Sequence, residues 1–247
     1  MIVGIECPKY GRRSFKECLL CPSEIREKLC GLTEDDIIVL VEHTALRPYI
    51  HVSDLLGCPR KVWFESREPV WISPKRAHTL LRGIRFHMAG REYVDAHELR
   101  VSVFIDGVRV VGTIDQVIGD SLLEVKTTTK ALPRTGAEEA HERQAQAYWT
   151  LIKRPHYEWK DGQWIKVEGK DLTPKVKYIN LRKGDAVIHE VEKRDLLPYL
   201  RERLRKLKRA LFASDVPEGE PSRECRLCFY LDMCKKLDEQ QEVRSKT

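Results

Sequence analysis

Asp115, Glu124 and Lys126 are the residues whose types and spacing point most directly to chemistry. Glu124 and Lys126 stand two apart in Leu-Leu-Glu-Val-Lys, so on a strand they project to one face while Val125 takes the other. The run Val-Arg-Val-Val-Gly-Thr-Ile-Asp before them also reads as a strand and ends at Asp115. Between Ile118 and Ser121 lie only Gly119 and Asp120, a pair suited to a two-residue hairpin turn. With Ile118 opposite Ser121, counting back sets Asp115 opposite Glu124 and Thr113 opposite Lys126. Directly paired residues share a face, with Cβ atoms about 4.5–5.5 Å apart. Two carboxylates so close repel unless a cation lies between them, and hard divalent ions such as Mg2+ favour oxygen ligands. The expectation is a metal site with a lysine beside it.

An exposed Glu-x-Lys on a strand is often no more than a solvated pair. Here Val110, Val111, Ile114, Val117, Ile118, Leu122, Leu123 and Val125 make both strands apolar enough to be central, where charges need a reason. Three convergent charged groups in that setting point to a site.

The eight cysteines fall into two sets of four, and in an intracellular chain they suggest metal before disulfides. Cys225, Cys228 and Cys234 form C-x2-C-x5-C, and three thiolates need a fourth to complete a tetrahedral zinc or a cubane iron–sulfur site. Cys58, isolated in Leu-Gly-Cys-Pro, is the candidate; joining it to the trio closes a long loop. Buried reduced thiols of no function are the plainer alternative. Cys7, Cys18, Cys21 and Cys30 form C-x10-C-x2-C-x8-C, with Pro8, Gly11 and Pro22 bending the chain around them. So short a segment is expected to have little core of its own, and a four-thiolate zinc site is the simplest way to order it. A second iron–sulfur cluster is the alternative occupant.

The remaining elements must position these groups. Ser53 caps a short helix carrying Leu55 and Leu56, broken at Gly57-Cys58-Pro59. Residues from about Pro74 to Asp95 read as a helix with His87 on its inner side, where a histidine is ordinarily a satisfied core residue. Glu98 to Ile105 reads as a strand, turned at Asp106-Gly107 into the one that ends at Asp115. Glu138 to Ile152 makes a helix on which Gln144 and Tyr148, four apart, share a face. Lys175–Leu181 and Val187–Val191 read as a further strand pair. Arg154 to Pro174, with Trp159, Asp161-Gly162 and Trp164, reads as a hairpin-like excursion whose tryptophans either pack on the body or stack on bases. Asp195 to Phe212 is an amphipathic helix whose leucine stripe faces inward and whose outer face crowds arginine and lysine.

The 247 residues suffice for one substantial domain, 46–247, plus an appended cysteine-rich module, 1–45. Charged residues make up 33% and the net charge is +6, which is compatible with an anionic partner. The N-terminus lacks the apolar core of a signal peptide, and the longest strongly apolar run, Ile37 to Val41, is far too short to span a bilayer. The expectation is a cytoplasmic protein with no membrane partner.

In chain order the pieces are Cys58, His87, Asp115, Glu124-x-Lys126, Gln144-x3-Tyr148, then Cys225, Cys228 and Cys234. This series, over roughly residues 50 to 236, resembles the iron–sulfur branch of the RecB-like PD-(D/E)XK nucleases, and more narrowly CRISPR-associated protein four. The resemblance implies an α/β fold with a restriction-endonuclease-like core, a mixed central sheet flanked by helices and stapled by the cluster. It implies that His87 is a metal ligand with Asp115, Glu124 and the Val125 carbonyl, holding Mg2+ or Mn2+. Lys126 would be the catalytic lysine, and Gln144 and Tyr148 would position the strand or support the metal shell. Cys58, Cys225, Cys228 and Cys234 would hold an iron–sulfur cluster, a four-iron one ahead of a two-iron one. The implied activity is metal-dependent hydrolysis of DNA, an exonuclease on single-stranded ends, working beside the CRISPR integrase complex on new spacers.

Two features depart from the family. The first ~45 residues with their own cysteine quartet are not part of its usual pattern. The Pro-Asp of the fold's name stands here as Ile114-Asp115, which keeps the carboxylate. A RecB-like nuclease of DNA repair or mobile-element biology is the competing reading. A non-catalytic DNA-binding adaptor is another, but its expected mark is an eroded site, and every motif position here is filled.

Overall fold

The computed structural model describes residues 1–44, 49–89, 94–213, 215–222, 225–226 and 228–245, with the backbone alone for 87–89 and 240–245. The first half of the chain runs β1 (Ile2–Cys7), β2 (Gly11–Ser14), α1 (Phe15–Leu19), α2 (Ser23–Cys30), α3 (Glu34–Thr44), β3 (Ile50–His51), α4 (Val52–Leu56), α5 (Pro59–Glu65), β4 (Val70–Ile72), α6 (Pro74–Ala89) and β5 (Ala96–Ile105). Then follow β6 (Val108–Ile118), β7 (Ser121–Thr128), α7 (Glu139–Ile152), β8 (His156–Lys160), β9 (Gln163–Val167), β10 (Thr173–Asn180), β11 (Ala186–Glu190), α8 (Leu197–Phe212) and α9 (Leu231–Ser245). Two compact units emerge: Met1–Leu46, Gly57–Leu81 and Lys206–Thr247 form one, and Arg47–Leu56 with Arg82–Arg205 form the other.

The first unit holds a small sheet in the order β2-β1-β4, β1 running antiparallel to β2 and parallel to β4. Ser14 and Glu17 close a capping box at the start of α1, each bonding the other's backbone N–H. The apolar residues of the N-terminal segment are buried against later parts of the chain. Ile5, Phe15, Leu32, Ile37 and Leu40 are buried together with Ile72 of β4 and Ala77 and Leu81 of α6. Those last partners lie well downstream, so a window on the N-terminal segment alone misses them. A second cluster stacks Phe64 on Tyr230 at 5.2 Å with Trp63 beside them, fixing α5 to the start of α9.

The second unit is built on a mixed sheet in the order β11-β10-β7-β6-β5-β8-β9, with β3 also paired to β6. The β7–β10 and β3–β6 pairs are parallel and the others antiparallel. A parallel pair needs a crossover, and α7 supplies it, packing on β7 and β10. Val101, Val103, Val110 and Ile114 of the sheet are buried, as are Leu55 of α4, Leu151 and Ile152 of α7, and Leu200 and Leu204 of α8. This is the mixed α/β core that the resemblance implies.

Boundaries differ in places. The helix predicted to reach Asp95 is shorter, since β5 begins at Ala96 and Asp95 instead accepts the Gly119 N–H. The helices α5 and α9 are additions; Pro59 stands at the start of α5, where its missing N–H costs nothing. The excursion after Arg154 is the hairpin β8–β9, turned at Asp161-Gly162 and joined to β5 by Val101↔Glu158 and Ser102↔Tyr157. Among the described residues no helix is long and apolar enough to cross a membrane.

Glu158 roots that hairpin. Its carboxylate is 1% exposed and lies 2.7 Å from Lys160 Nζ and 2.6 Å from Lys170 Nζ. Burial raises its pKa, but the two lysines outweigh it and hold the group down at about 2. A depressed carboxylate adds stability above its unfolded pKa of roughly 4.3 and loses it as pH falls toward 2. Glu158→Gln should therefore cost about 1–2 kcal/mol at pH 7, discounted for the half-exposed lysines, and almost nothing near pH 2. Urea unfolding at the two pH values checks this.

Candidate active site

The β6–β7 hairpin forms in the predicted register, Ile118↔Ser121, Val117↔Leu122 and Gln116↔Leu123, with Gly119 at φ +56 in the turn. The ladder ends there, one step short of Asp115 and Glu124. Farther along, β6 pairs at Val110 and Val111 with β3, while β7 continues against β10 through Thr128. The two strands thus part where their carboxylates begin. Asp115 Oδ2 bridges the opening by accepting the Val125 N–H at 2.7 Å.

Glu124 is 2% exposed, and its Oε1 lies 2.6 Å from Lys126 Nζ. Lys126 Nζ donates to Gln144 Oε1 at 3.1 Å, and Gln144 Nε2 donates to Tyr148 Oη at 3.0 Å. The i,i+4 pair on α7 is therefore a tether that fixes the ammonium over Glu124. The Tyr148 ring reaches this position because residue 112 is glycine: a Cβ there would lie 3.0 Å from two ring carbons. Burial pushes the Asp115 carboxyl up to about 6; the Val125 amide and Lys126 oppose the rise and Glu98 adds to it. A carboxyl raised in this way keeps a proton in the folded state between about pH 4 and 6, so metal-free stability falls as pH climbs through that window. A divalent cation would replace that proton, and the donor set of hard oxygens fits Mg2+ or Mn2+.

Glu98, His141 and Tyr178 join the site without being singled out by the sequence. Cross-strand pairs on either side, His97↔Gln116 and Leu99↔Ile114, put Glu98 at the register position of Asp115, in a left-handed conformation at φ +48. The Asp106-Gly107 turn carries the signal, because counting back from Ile105↔Val108 reaches the same pairing. Tyr178 pairs with Lys126 in the β7–β10 register, and its Oη lies 2.8 Å from His141 Nδ1 and accepts the Glu138 N–H at 2.8 Å. Burial, then the nearby Lys126 charge, pushes His141 down to about 4, so it is neutral at pH 7. His87 lies in α6, and its side chain is outside the described residues.

The cysteines gather in their two sets. Cys30 is pushed up to about 11 by burial, by Cys7, which hydrogen-bonds it, and by Cys18 and Cys21. Burial and Cys7 likewise raise Cys18. Buried Arg26 ties the enclosing loops, its Nη1 donating to the Cys18 carbonyl at 3.0 Å and its Nε to Leu32 O at 3.2 Å. In the other set burial raises Cys234, Arg60 opposes this, and Cys228 and Cys58 add to it. The Glu220 N–H donates to Cys58 Sγ and the Ser222 N–H to Cys225 Sγ, each at 3.3 Å. Amides aimed at sulfur stabilise thiolate ligands. Among the described residues no group of three or more Cys, His, Asp or Glu closes to ligating geometry. In the second set two sulfurs accept amide N–H groups, which fits thiolate ligands, but among the described residues the four sulfurs of neither set are closed around one centre.

A mixed sheet that opens onto buried carboxylates and a tethered lysine fits a metal-dependent nuclease. The sequence pattern of the PD-(D/E)XK nuclease superfamily matches residues 42–235, and the chain belongs to that superfamily. Its members are metal-dependent nucleases that bind DNA. The solved crystal structure of SSO0001 has a similar fold, at 17% identity and a TM-score of 0.53, covering 81% of this chain and 93% of that one. Among curated proteins nothing matches.

Gln144→Leu should leave the fold intact but release Lys126, lowering cleavage about 10- to 100-fold. Steady-state rates of DNA cleavage, beside an unchanged melting temperature, check it.

Proposed function

We propose that the protein is an exonuclease for single-stranded DNA ends that processes spacer precursors in CRISPR adaptation. The observation that carries this reading is the chain Glu124–Lys126–Gln144–Tyr148 beside Asp115, since hydrogen bonds there assemble the motif residues of the family the sequence resembles. Asp115, Glu124 and His87, with the Val125 carbonyl, are the residues that would hold Mg2+ or Mn2+. Bound there, such an ion would supply Lewis acidity toward the scissile phosphate and would make a nearby water more acidic. Lys126, positioned by Gln144, orients the attacking water and offsets charge growing on the phosphate oxygens. Tyr148 holds Gln144 in place, and Asp115, anchored on the Val125 amide, keeps its carboxylate aimed into the opening.

The approach of Cys58 to Cys228 and Cys234 supports an iron–sulfur cluster on Cys58, Cys225, Cys228 and Cys234, a four-iron one in our reading. Hydrolysis needs no redox step, so its role is structural. The N-terminal quartet Cys7, Cys18, Cys21 and Cys30 is assigned to zinc. That quartet lies outside the superfamily match and favours the second reading, a nuclease of DNA repair or mobile-element biology. Co-purification with the CRISPR integrase separates the two contexts.

Anaerobically purified protein with Mn2+ should shorten end-labelled single-stranded DNA stepwise, and Glu124→Ala should lose this by more than about 100-fold while still binding DNA. Equal cleavage by the variant contradicts the assignment. Cys234→Ser should lose the brown cluster absorbance, bound iron and thermal stability together; a colourless variant of unchanged melting temperature overturns the structural role.

A further inference from the structure

Arg109 lies in a cage of rings: its guanidinium carbon is 5.1 Å from the centroid of Phe104, 5.3 Å from Trp164, 5.7 Å from Tyr157 and 5.8 Å from Tyr49. Trp159 extends the group, edge-on to Trp164 at 5.1 Å. Three of these rings face solvent, Phe104 at 53%, Tyr49 at 39% and Trp159 at 38% exposure. Structural packing does not require aromatic surface of that extent outside the core. Among the described residues Arg109 meets rings and no carboxylate, so its charge is left for an anion.

The register connects this cage to the carboxylates. On β5 and β6 the pairs Phe104↔Arg109, Ser102↔Val111 and Arg100↔Thr113 lead step by step to the position of Glu98 and Asp115. Alternation puts all of them on one face, and six residues of strand span about 20 Å. Tyr157 pairs with Ser102, and Trp159 with Trp164, which keeps the hairpin's rings on that side. Arg100, exposed midway, likewise has no carboxylate partner among the described residues.

We propose that the rings around Arg109 are a base-stacking platform for single-stranded DNA, holding unpaired nucleotides about 20 Å from the hydrolytic carboxylates on the same face of β5 and β6. The ligand rests on the nuclease reading; the location rests on the register. Exposed rings offer π-faces to successive bases, while Arg109 meets a phosphate at the platform and Arg100 one between platform and site. Binding of this kind tolerates any sequence and rejects paired bases, whose faces are already stacked.

The test is fluorescence anisotropy of the full chain without added divalent metal, using a labelled oligothymidine of about twelve nucleotides and an abasic strand of equal length. Phe104→Ala and Trp159→Ala should each weaken oligothymidine binding about 5- to 100-fold and leave abasic binding unchanged. Trp159→Phe should retain affinity, and oligothymidine alone should quench wild-type tryptophan fluorescence. Variants that bind both strands as wild type does, with no quenching, overturn the platform. Wild type that still trims single-stranded ends in that case leaves the nuclease reading standing; wild type that neither binds nor trims removes both. Loss of a dimer in Phe104→Ala, with DNA binding unchanged, assigns the rings to contact between copies and also overturns the proposal.

Discussion

The structure turns on the parting of β6 and β7. A regular ladder would set Asp115 against Glu124 with nothing to offset their repulsion inside an apolar sheet. Instead the pairing stops after Gln116↔Leu123, and the Asp115 carboxylate accepts the backbone N–H of Val125 in the gap. A sheet cannot leave such donors empty at low cost, so the Asp115 side chain satisfies the backbone at the opening. The short strand β3 takes up the freed edge of β6 at Val110 and Val111. Burial keeps Asp115 partly protonated near pH 6, and Lys126 holds Glu124 by an ion pair at 2.6 Å. Charge is stored at the opening in a form that a divalent cation would relieve.

The support for that charge comes from the crossover helix. Because β7 and β10 are parallel, α7 must lie over them, and this places Gln144 within reach of Lys126 and His141 within reach of Tyr178. The glycine at 112 admits the ring of Tyr148, which completes the tether. A lysine on four flexible methylenes loses most of its freedom in this way before any substrate arrives, and that preorganisation is what electrostatic catalysis demands.

Much of this was legible in the chain. Period-2 alternation and the Gly119-Asp120 turn specify the β6–β7 register beside the turn but not the parting of the strands before Asp115 and Glu124, and the Asp106-Gly107 turn specifies the register of β5–β6. Spacing of four on a helix specifies that Gln144 and Tyr148 meet. What local pattern does not carry is pairing over distance. The core that Ile5 of β1 and Ile37 of α3 share with β4 and α6 depends on residues far downstream, and so does the stacking of Phe64 on Tyr230. Glu98 was legible by the same counting that placed Asp115, but its strand reads as an ordinary edge until its partner is known.

Manganese binding tests the central claim most directly. A titration of the full chain with Mn2+ near pH 7, followed by electron paramagnetic resonance of the free ion, would be run on wild type, Asp115→Asn and Glu124→Gln. The hard ion does not compete for the thiols, so the count reports the carboxylate site. The account predicts one or two ions bound by wild type and loss of that binding in both variants. Unchanged stoichiometry and affinity in both would contradict a metal site at the opening of β6 and β7.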